Sequence, residues 1–297
     1  MRSRYALPAI ALAAALSLTG CVNNSTTPAA SGSDTPGSTA VDAAAVALLP
    51  ADIKKNGKLI IGIDPAYAPN EFKDDAGNPV GWDVELADAM AAKLGLKTDY
   101  QASSFDKIIP SITGGTYDIG VSSFTDNVER EKAVDFVNYF TAGVQWAQPI
   151  GKTVDPANAC GLTVSVQATT YEETDELPAK SKECTDAGKA AITILKFDKQ
   201  DDATTAVATG RADAMSADSP ITLYAISKLK DKIEPAGKSF EDAPYGIAVK
   251  KGSDLTKALQ AALQSMVDDG SYTKILQKWG VENGAIDKIT INAASKG

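Results

Sequence analysis

The residues able to do covalent chemistry are few in this chain of 297 residues, and their spacing excludes more than it allows. There is no histidine, which removes Ser-His-Asp and Cys-His catalysis, imidazole general bases and every zinc site that needs an imidazole. Two Gly-Lys-[Ser/Thr] triplets, Gly151 to Thr153 and Gly237 to Ser239, lack the upstream glycine of a phosphate-cradling loop. Ser-x-x-Lys occurs at Ser104 and Ser271 without the companion motifs of a penicillin-binding or β-lactamase site. What remains is noncovalent. Four junctions are crowded with hydroxyls, amides and charges: Asp64 to Phe72, Ser122 to Arg130, Gln167 to Tyr171 and Ser216 to Pro220.

Each junction follows a short apolar run of strand character and precedes a helical pattern. Leu59 to Ile63, Tyr117 to Val121, Leu162 to Gln167, Ile192 to Phe197, Asp213 to Ser216 and Tyr245 to Val249 read as strands. Helices are predicted from Asp83 to Leu94 with Gly95 as its stop, from Ser104 onward, over Thr170 to Cys184 and Asp202 to Thr209, from Pro220, and over Leu255 to Trp279 with a break near Gly270. The alternation means an α/β fold with mainly parallel sheets, in which ligands bind beyond the carboxyl ends of strands. Two polar junctions fall early and two late, with a strand at Gln145 to Pro149 between the pairs, so two lobes each lend loops to one cleft.

The amino terminus carries an export signal. Arg2 and Arg4 precede an apolar run from Ala6 to Leu18, too short for a membrane span, so residues 1–20 read as a signal peptide. Leu18-Thr-Gly-Cys21 resembles the bacterial lipobox, which implies lipidation of Cys21 and anchoring of the exported protein to the cell membrane; the alternative is an ordinary signal with a chance cysteine. Residues 21–51 are rich in Ser, Thr, Ala, Pro and Gly and read as a tether, within which Val41 to Leu49 has the character of a short helix. Cys160 and Cys184 then form an even pair in an oxidising compartment. A disulfide between them closes a loop of about 25 residues and contributes about 3 to 4 kcal/mol on the chain-entropy model; two buried thiols are the alternative. Lys plus Arg total 29 against 38 Asp plus Glu, a formal charge of −9 that argues against a nucleic-acid partner.

Ile61-Gly-Ile-Asp64 leading to Tyr67-Ala-Pro, Gly81-Trp-Asp-Val-Glu-Leu-Ala, Phe105-Asp-Lys-Ile-Ile-Pro, Tyr117-Asp-Ile and Glu129-Arg130-Glu-Lys-Ala-Val-Asp-Phe136 together resemble the extracellular solute-binding proteins of polar amino-acid ABC importers. The resemblance runs from about residue 52 to 286. It implies a type II periplasmic-binding fold, with lobe one at 52–147 plus 246–297, lobe two at 148–245 and a two-strand hinge. It also implies a monomer that captures a free amino acid, without a cofactor or metal and without catalysis, and delivers it to an ABC permease. A sensory lipoprotein and a carboxylate-driven lyase on the same fold are the alternatives.

The resemblance assigns the pocket. Arg130 is expected to grip the ligand carboxylate with its planar fork, helped by Thr125, Ser123 and the backbone at Thr170. Asp218, at the end of Ala212 to Asp218, is expected to take the ammonium, and Tyr67 and Phe105 to sandwich the side chain. Read without the family, Arg130 is a solvated helix residue and Asp218 lies just outside a helix whose cap is Ser219. Two departures stand out: Asn70 replaces a frequent aromatic, and Thr169 replaces the glycine of Gln-x-Gly-Thr. With Arg130 committed, no basic group remains at the junctions for an acidic side chain. Asp64 and Glu71 are unassigned, and Gln167 and Asn70 offer amides, so the ligand side chain is expected to be polar and neutral, or basic. Alternatively, Asp64 caps the Pro65 turn and faces away from the pocket.

Overall fold

The computed structural model describes residues 40–296. The signal peptide, Cys21 and most of the expected tether lie outside the described residues. The end of that stretch is packed. Asp42 caps α1 (Ala43–Ala47), its carboxylate accepting from the Ala44 and Ala45 amides at 2.9 and 3.0 Å, and Ala45 and Leu49 are buried.

The chain continues through α2 (Ala51–Asn56), β1 (Lys58–Ile63), a small meander of β2 (Ala66–Tyr67), β3 (Glu71–Lys73) and β4 (Pro79–Val80), α3 (Trp82–Lys93), β5 (Lys97–Ala102), α4 (Phe105–Thr113) and β6 (Ile119–Thr125). The long β7 (Val134–Pro149) leads to β8 (Thr163–Gln167), a π-helical turn (Glu172–Glu176) that runs into α5 (Leu177–Asp186), β9 (Thr193–Phe197), α6 (Gln200–Ala208), β10 (Ala214–Asp218) and α7 (Ser219–Lys228). The equally long β11 (Ile233–Lys250) returns, followed by α8 (Leu255–Asp268), α9 (Ser271–Trp279) and the short β12 (Thr290–Ile291).

The main sheet has the order β5-β1-β6-β11-β7-β10-β8-β9, with β12 against β7. Pairing is parallel on each flank, β5-β1-β6 and β10-β8-β9, while β7 and β11 run antiparallel through the middle. Helices cover both faces, so the strands need apolar residues on both sides. In the first half, Leu59 and Ile61 pack with Leu86, Met90, Leu259 and Leu263, while Ile108, Ile112, Phe124 and Phe136 fill the opposite face. In the second half, Val164, Val166, Trp146 and Leu177 form one core, and Val207, Met215, Ala217 and Ile221 another.

The change of core falls inside the β7–β11 ribbon. Ala142 belongs to the first core and Val144 to the second, and the β7–β11 register shifts between Ala236 and Phe240 and again between Phe240 and Ala243. Gly143 sits at this point because a Cβ there would stand 2.4 Å from both Asp242 Oδ1 and Ser239 Oγ. The bare Cα leaves room for both side chains where the irregular β11 crosses. The Cys160–Cys184 disulfide expected from the sequence is present and ties the segment before β8 to α5.

Candidate functional site

Parallel strands end at one edge, so β1 and β6 in the first half, and β8 and β10 in the second, deliver their following residues to a common cleft. That cleft holds a small cavity. Asp64, Tyr67, Phe105, Ser123, Thr125, Arg130, Gln167, Thr170 and Asp218 all line it, as do Glu71, Ser122, Tyr171 and Glu172.

Arg130 stands in a single helical turn after β6, its amide bonded to Asn127 Oδ1 at 2.8 Å. Its Nη1 donates to the Thr125 carbonyl (2.8 Å) and its Nη2 to the Thr169 carbonyl (2.9 Å). The guanidinium lies 5.5 Å from the Phe105 ring centre and 5.9 Å from that of Phe124, over a stacked pair of rings. Burial lowers its pKa, which Glu172 and then Asp218 oppose. A guanidinium carries five N–H donors in one plane, so two carbonyl bonds leave enough for a carboxylate.

Asp218 ends β10, and its Oδ2 accepts a 2.6 Å bond from the Tyr67 hydroxyl, joining the two halves of the molecule. The Tyr67 ring packs within the second-half core. Burial pushes the Asp218 carboxyl up to about 6, with Tyr67, Tyr245 and Arg130 pulling it back. Asp64 faces the cavity, so its role is not confined to the turn at Pro65. Its Oδ2 accepts from Gln167 Nε2 at 2.8 Å, a second contact between the halves, and burial pushes it up to about 6 as well. On its outer side Asp64 also borders an open groove with Lys199, Asp106 and Asp198.

Asn70 corrects the sequence reading: it is fully buried and does not line the cavity. Its amide nitrogen donates to Ser123 Oγ (2.8 Å) and its carbonyl accepts from Trp82 Nε1 (2.7 Å), so the amide is spent on holding the serine and α3 in place. A phenyl ring could make neither bond. Ser123 is itself committed, its Oγ lying 3.0 Å from both Glu71 Oε2 and Asp83 Oδ2. Glu71 also receives Ser122 Oγ at 3.0 Å; burial, then the neighbouring Asp83, holds its carboxyl well above the ordinary range. Thr170 uses its hydroxyl on the Gln167 carbonyl (2.9 Å).

Thr169, in place of the expected glycine, keeps a glycine-like backbone with φ +64°. Its carbonyl reaches Arg130, its amide donates to Glu173 Oε2 (3.0 Å), and its buried hydroxyl has no partner among the described residues. Glu172 was not singled out from the sequence. It sits in an acidic run at the start of the predicted helix, and the π-helical turn leaves Glu173 half-buried, turns Thr174 and Asp175 outward and buries Glu172 and Glu176 together. Their spacing of four residues just ahead of Leu177 was the available signal. Glu176 accepts from Trp146 Nε1 and Ser216 Oγ, whereas Glu172 is turned to the cavity.

Residues 59–282 match the bacterial extracellular solute-binding proteins, family 3. The arginine-binding protein ArgT of Corynebacterium glutamicum is 44% identical over 83% of this chain and 82% of its own length. The ABC transporter glutamine-binding protein GlnH of Bacillus subtilis is 30% identical over 79% of this chain and 85% of its own. Among solved structures, an ancestral arginine-binding protein bound to arginine superposes with a TM-score of 0.69 at 34% identity, covering 75% of this chain and 98% of that one. The α/β architecture is that of the type II periplasmic-binding proteins.

Proposed function

The chain belongs to the bacterial extracellular solute-binding proteins of family 3, and we propose that it captures a basic amino acid, arginine foremost, in the cleft between two lobes. The lobes are residues 52–147 with 246–297, and residues 148–245. The observation that carries this reading is the charge of the cavity wall: among the described residues lining it Arg130 is the only cation, against Asp64, Glu71, Glu172 and Asp218. Arg130 takes the ligand carboxylate, Asp218 the ammonium, and Asp64 the cationic end of the side chain. A second carboxylate on the ligand would meet like charges in a confined space. The arginine-binding relative and the arginine-bound ancestral structure support the choice.

Tyr67–Asp218, Asp64–Gln167 and Arg130–Thr169 each bridge the lobes, so a ligand that adds contacts to both sides favours the closed form. A differential of about 5.5 kcal/mol carries an almost fully open population to almost fully closed. An ABC permease then reads the closed shape, and lipidated Cys21 keeps the carrier at the membrane. The role is binding without turnover. Calorimetric titration across the amino acids tests the reading: arginine and lysine are expected to bind most tightly, and glutamate or aspartate binding most tightly would overturn the charge argument.

A further inference from the structure

Glu172 is the acid of the cavity wall with a buried and unmatched oxygen. The residue is 1% exposed, it lines the cavity together with Asp218 and Arg130, and its Oε1 has no hydrogen-bond partner among the described residues. A buried carboxylate oxygen without a donor is costly, so its surroundings indicate what kind of group would match it. Arg130, the nearby cation, spends an N–H of each Nη on a main-chain carbonyl. Tyr67 donates its hydroxyl to Asp218. The Tyr245 hydroxyl, also without a partner among the described residues, and the remaining Arg130 donors lie on the protein side; a donor carried into the cavity by the ligand is the group that would meet Glu172 from the open side. Glu172 and Asp218 line the same cavity, and burial, followed by the Asp218 charge, pushes the Glu172 carboxyl well above the ordinary range.

An α-ammonium has three N–H donors, and Asp218 meets it with one oxygen already engaged by Tyr67. We propose that Glu172 is a second carboxylate of the ammonium subsite, so that Asp218 and Glu172 together accept from the α-ammonium and make the site selective for ligands with a free α-amine. The inference rests on the amino-acid-binding reading, not on arginine in particular. Glu172 is thereby a specificity-determining residue. If it served only as a countercharge to Arg130, it would act on the ligand carboxylate and treat aminated and deaminated ligands alike.

The test is Glu172→Gln, nearly isosteric and neutral, in the full chain. Because it replaces a buried carboxyl that already lacks a partner for one oxygen, the variant is expected to melt at or above the wild-type temperature. Calorimetry with arginine and with guanidinopentanoate, the same skeleton without the amine, reads the effect. Arginine affinity is expected to fall at least about tenfold, roughly one charge-assisted hydrogen bond, while guanidinopentanoate changes by less than about threefold, a spread small beside one such bond. Retained arginine affinity in the variant overturns the proposal, as does an equal loss for both ligands or wild-type protein that binds both equally. If wild-type protein ignores arginine and binds glutamine, the basic-ligand reading fails. The same comparison with glutamine and carbamoylbutanoate then decides the role of Glu172.

Discussion

Arg130 donates through Nη2 to the main-chain carbonyl of Thr169, 2.9 Å away on the opposite side of the cleft. The same guanidinium holds the Thr125 carbonyl at the end of β6, so one side chain links the two halves and offers its remaining donors to the cavity. Arg130→Ala is expected to lower amino-acid affinity by well over tenfold, more than about 1.4 kcal/mol. Arg130→Lys is expected to recover little, since an ammonium cannot span both carbonyls and a carboxylate in one plane. Calorimetry on both variants checks this; a lysine variant that binds like wild type would show that planarity is irrelevant.

Asp64→Asn should change which ligand wins. The Gln167 bond to Oδ2 has a counterpart in the amide oxygen, so the contact between halves survives. The charge opposite a guanidinium or ammonium does not. Arginine and lysine are expected to weaken by roughly ten- to a hundredfold, the worth of a hydrogen bond to a charged group, with glutamine changing by only a few-fold, well under one such bond. Thermal-shift ranking of the three ligands reads the inversion, and equal losses for all three would place Asp64 outside side-chain recognition.

Protons should act on folding and on binding in opposite directions. Asp64 and Asp218 are raised to about 6 and Glu176 to about 7, each mainly by burial. The folded protein thus holds protons that the unfolded chain has already released, and stability from these groups is present at low pH and lost as pH rises through 6 to 7. Asp74, Asp99 and Asp155 are lowered instead, by hydrogen bonds, and their contribution is lost only at more acidic pH. The ligand-free melting temperature is therefore expected to rise from pH 8 to pH 5. A cationic ligand needs the ionised acids, so the melting shift it produces should shrink over the same range. Melting scans with and without arginine at each pH separate the two trends, and a parallel change in both would refute the assignment.

Thr169→Gly removes a β-branched residue from a left-handed backbone. The strain is about 1 to 2 kcal/mol, and glycine gives back about 0.5 to 1 kcal/mol through greater freedom when unfolded. The buried, unpartnered hydroxyl goes as well. Denaturant titration is expected to find the variant equal to wild type or up to about 1.5 kcal/mol more stable, the difference between those two terms. A clear loss would mean that the threonine side chain is held by contacts outweighing its strain.

Much of this arrangement was legible before any coordinates. Ile61, Ile63 and Val121 sit in runs apolar enough to demand a strand covered on both faces, and the polar residues directly after such runs had to collect at one edge. The edge strand Lys97–Ala102 was invisible because, as an outer strand, it buries little and its sequence is polar on both faces. Only the end of β7 was singled out, since Asp135, Asn138 and Thr141 interrupt its apolar pattern. Asp135 and Asn138 are satisfied by partners far away in sequence: Asn292 and Gly252 for Asp135, Ala293 for Asn138. Asn70 was misplaced for a related reason: a buried amide looks like a pocket amide until Trp82 and Ser123 are brought to it. Glu172 was passed over because four acids crowd Glu172 to Glu176, and such a run hides the pair four residues apart that turns inward with Leu177.

The β7–β11 ribbon also makes the molecule divisible. Apart from the Tyr67 ring, the second-half cores lie on one uninterrupted stretch of chain between Val144 and Phe240, and these two residues are direct partners across the ribbon. The stretch thus leaves and re-enters the first half at adjacent points, as a cassette does. A short turn joining the two strands there would excise it, and a cassette from another protein whose ends are equally close could be grafted in without rerouting a strand. The loops of Gln167 to Glu172 and Asp218 would leave with the cassette, while Arg130 and Asp64 would stay behind. Recombining halves between proteins of this architecture would therefore exchange the ammonium end of the recognition code while retaining the carboxylate grip.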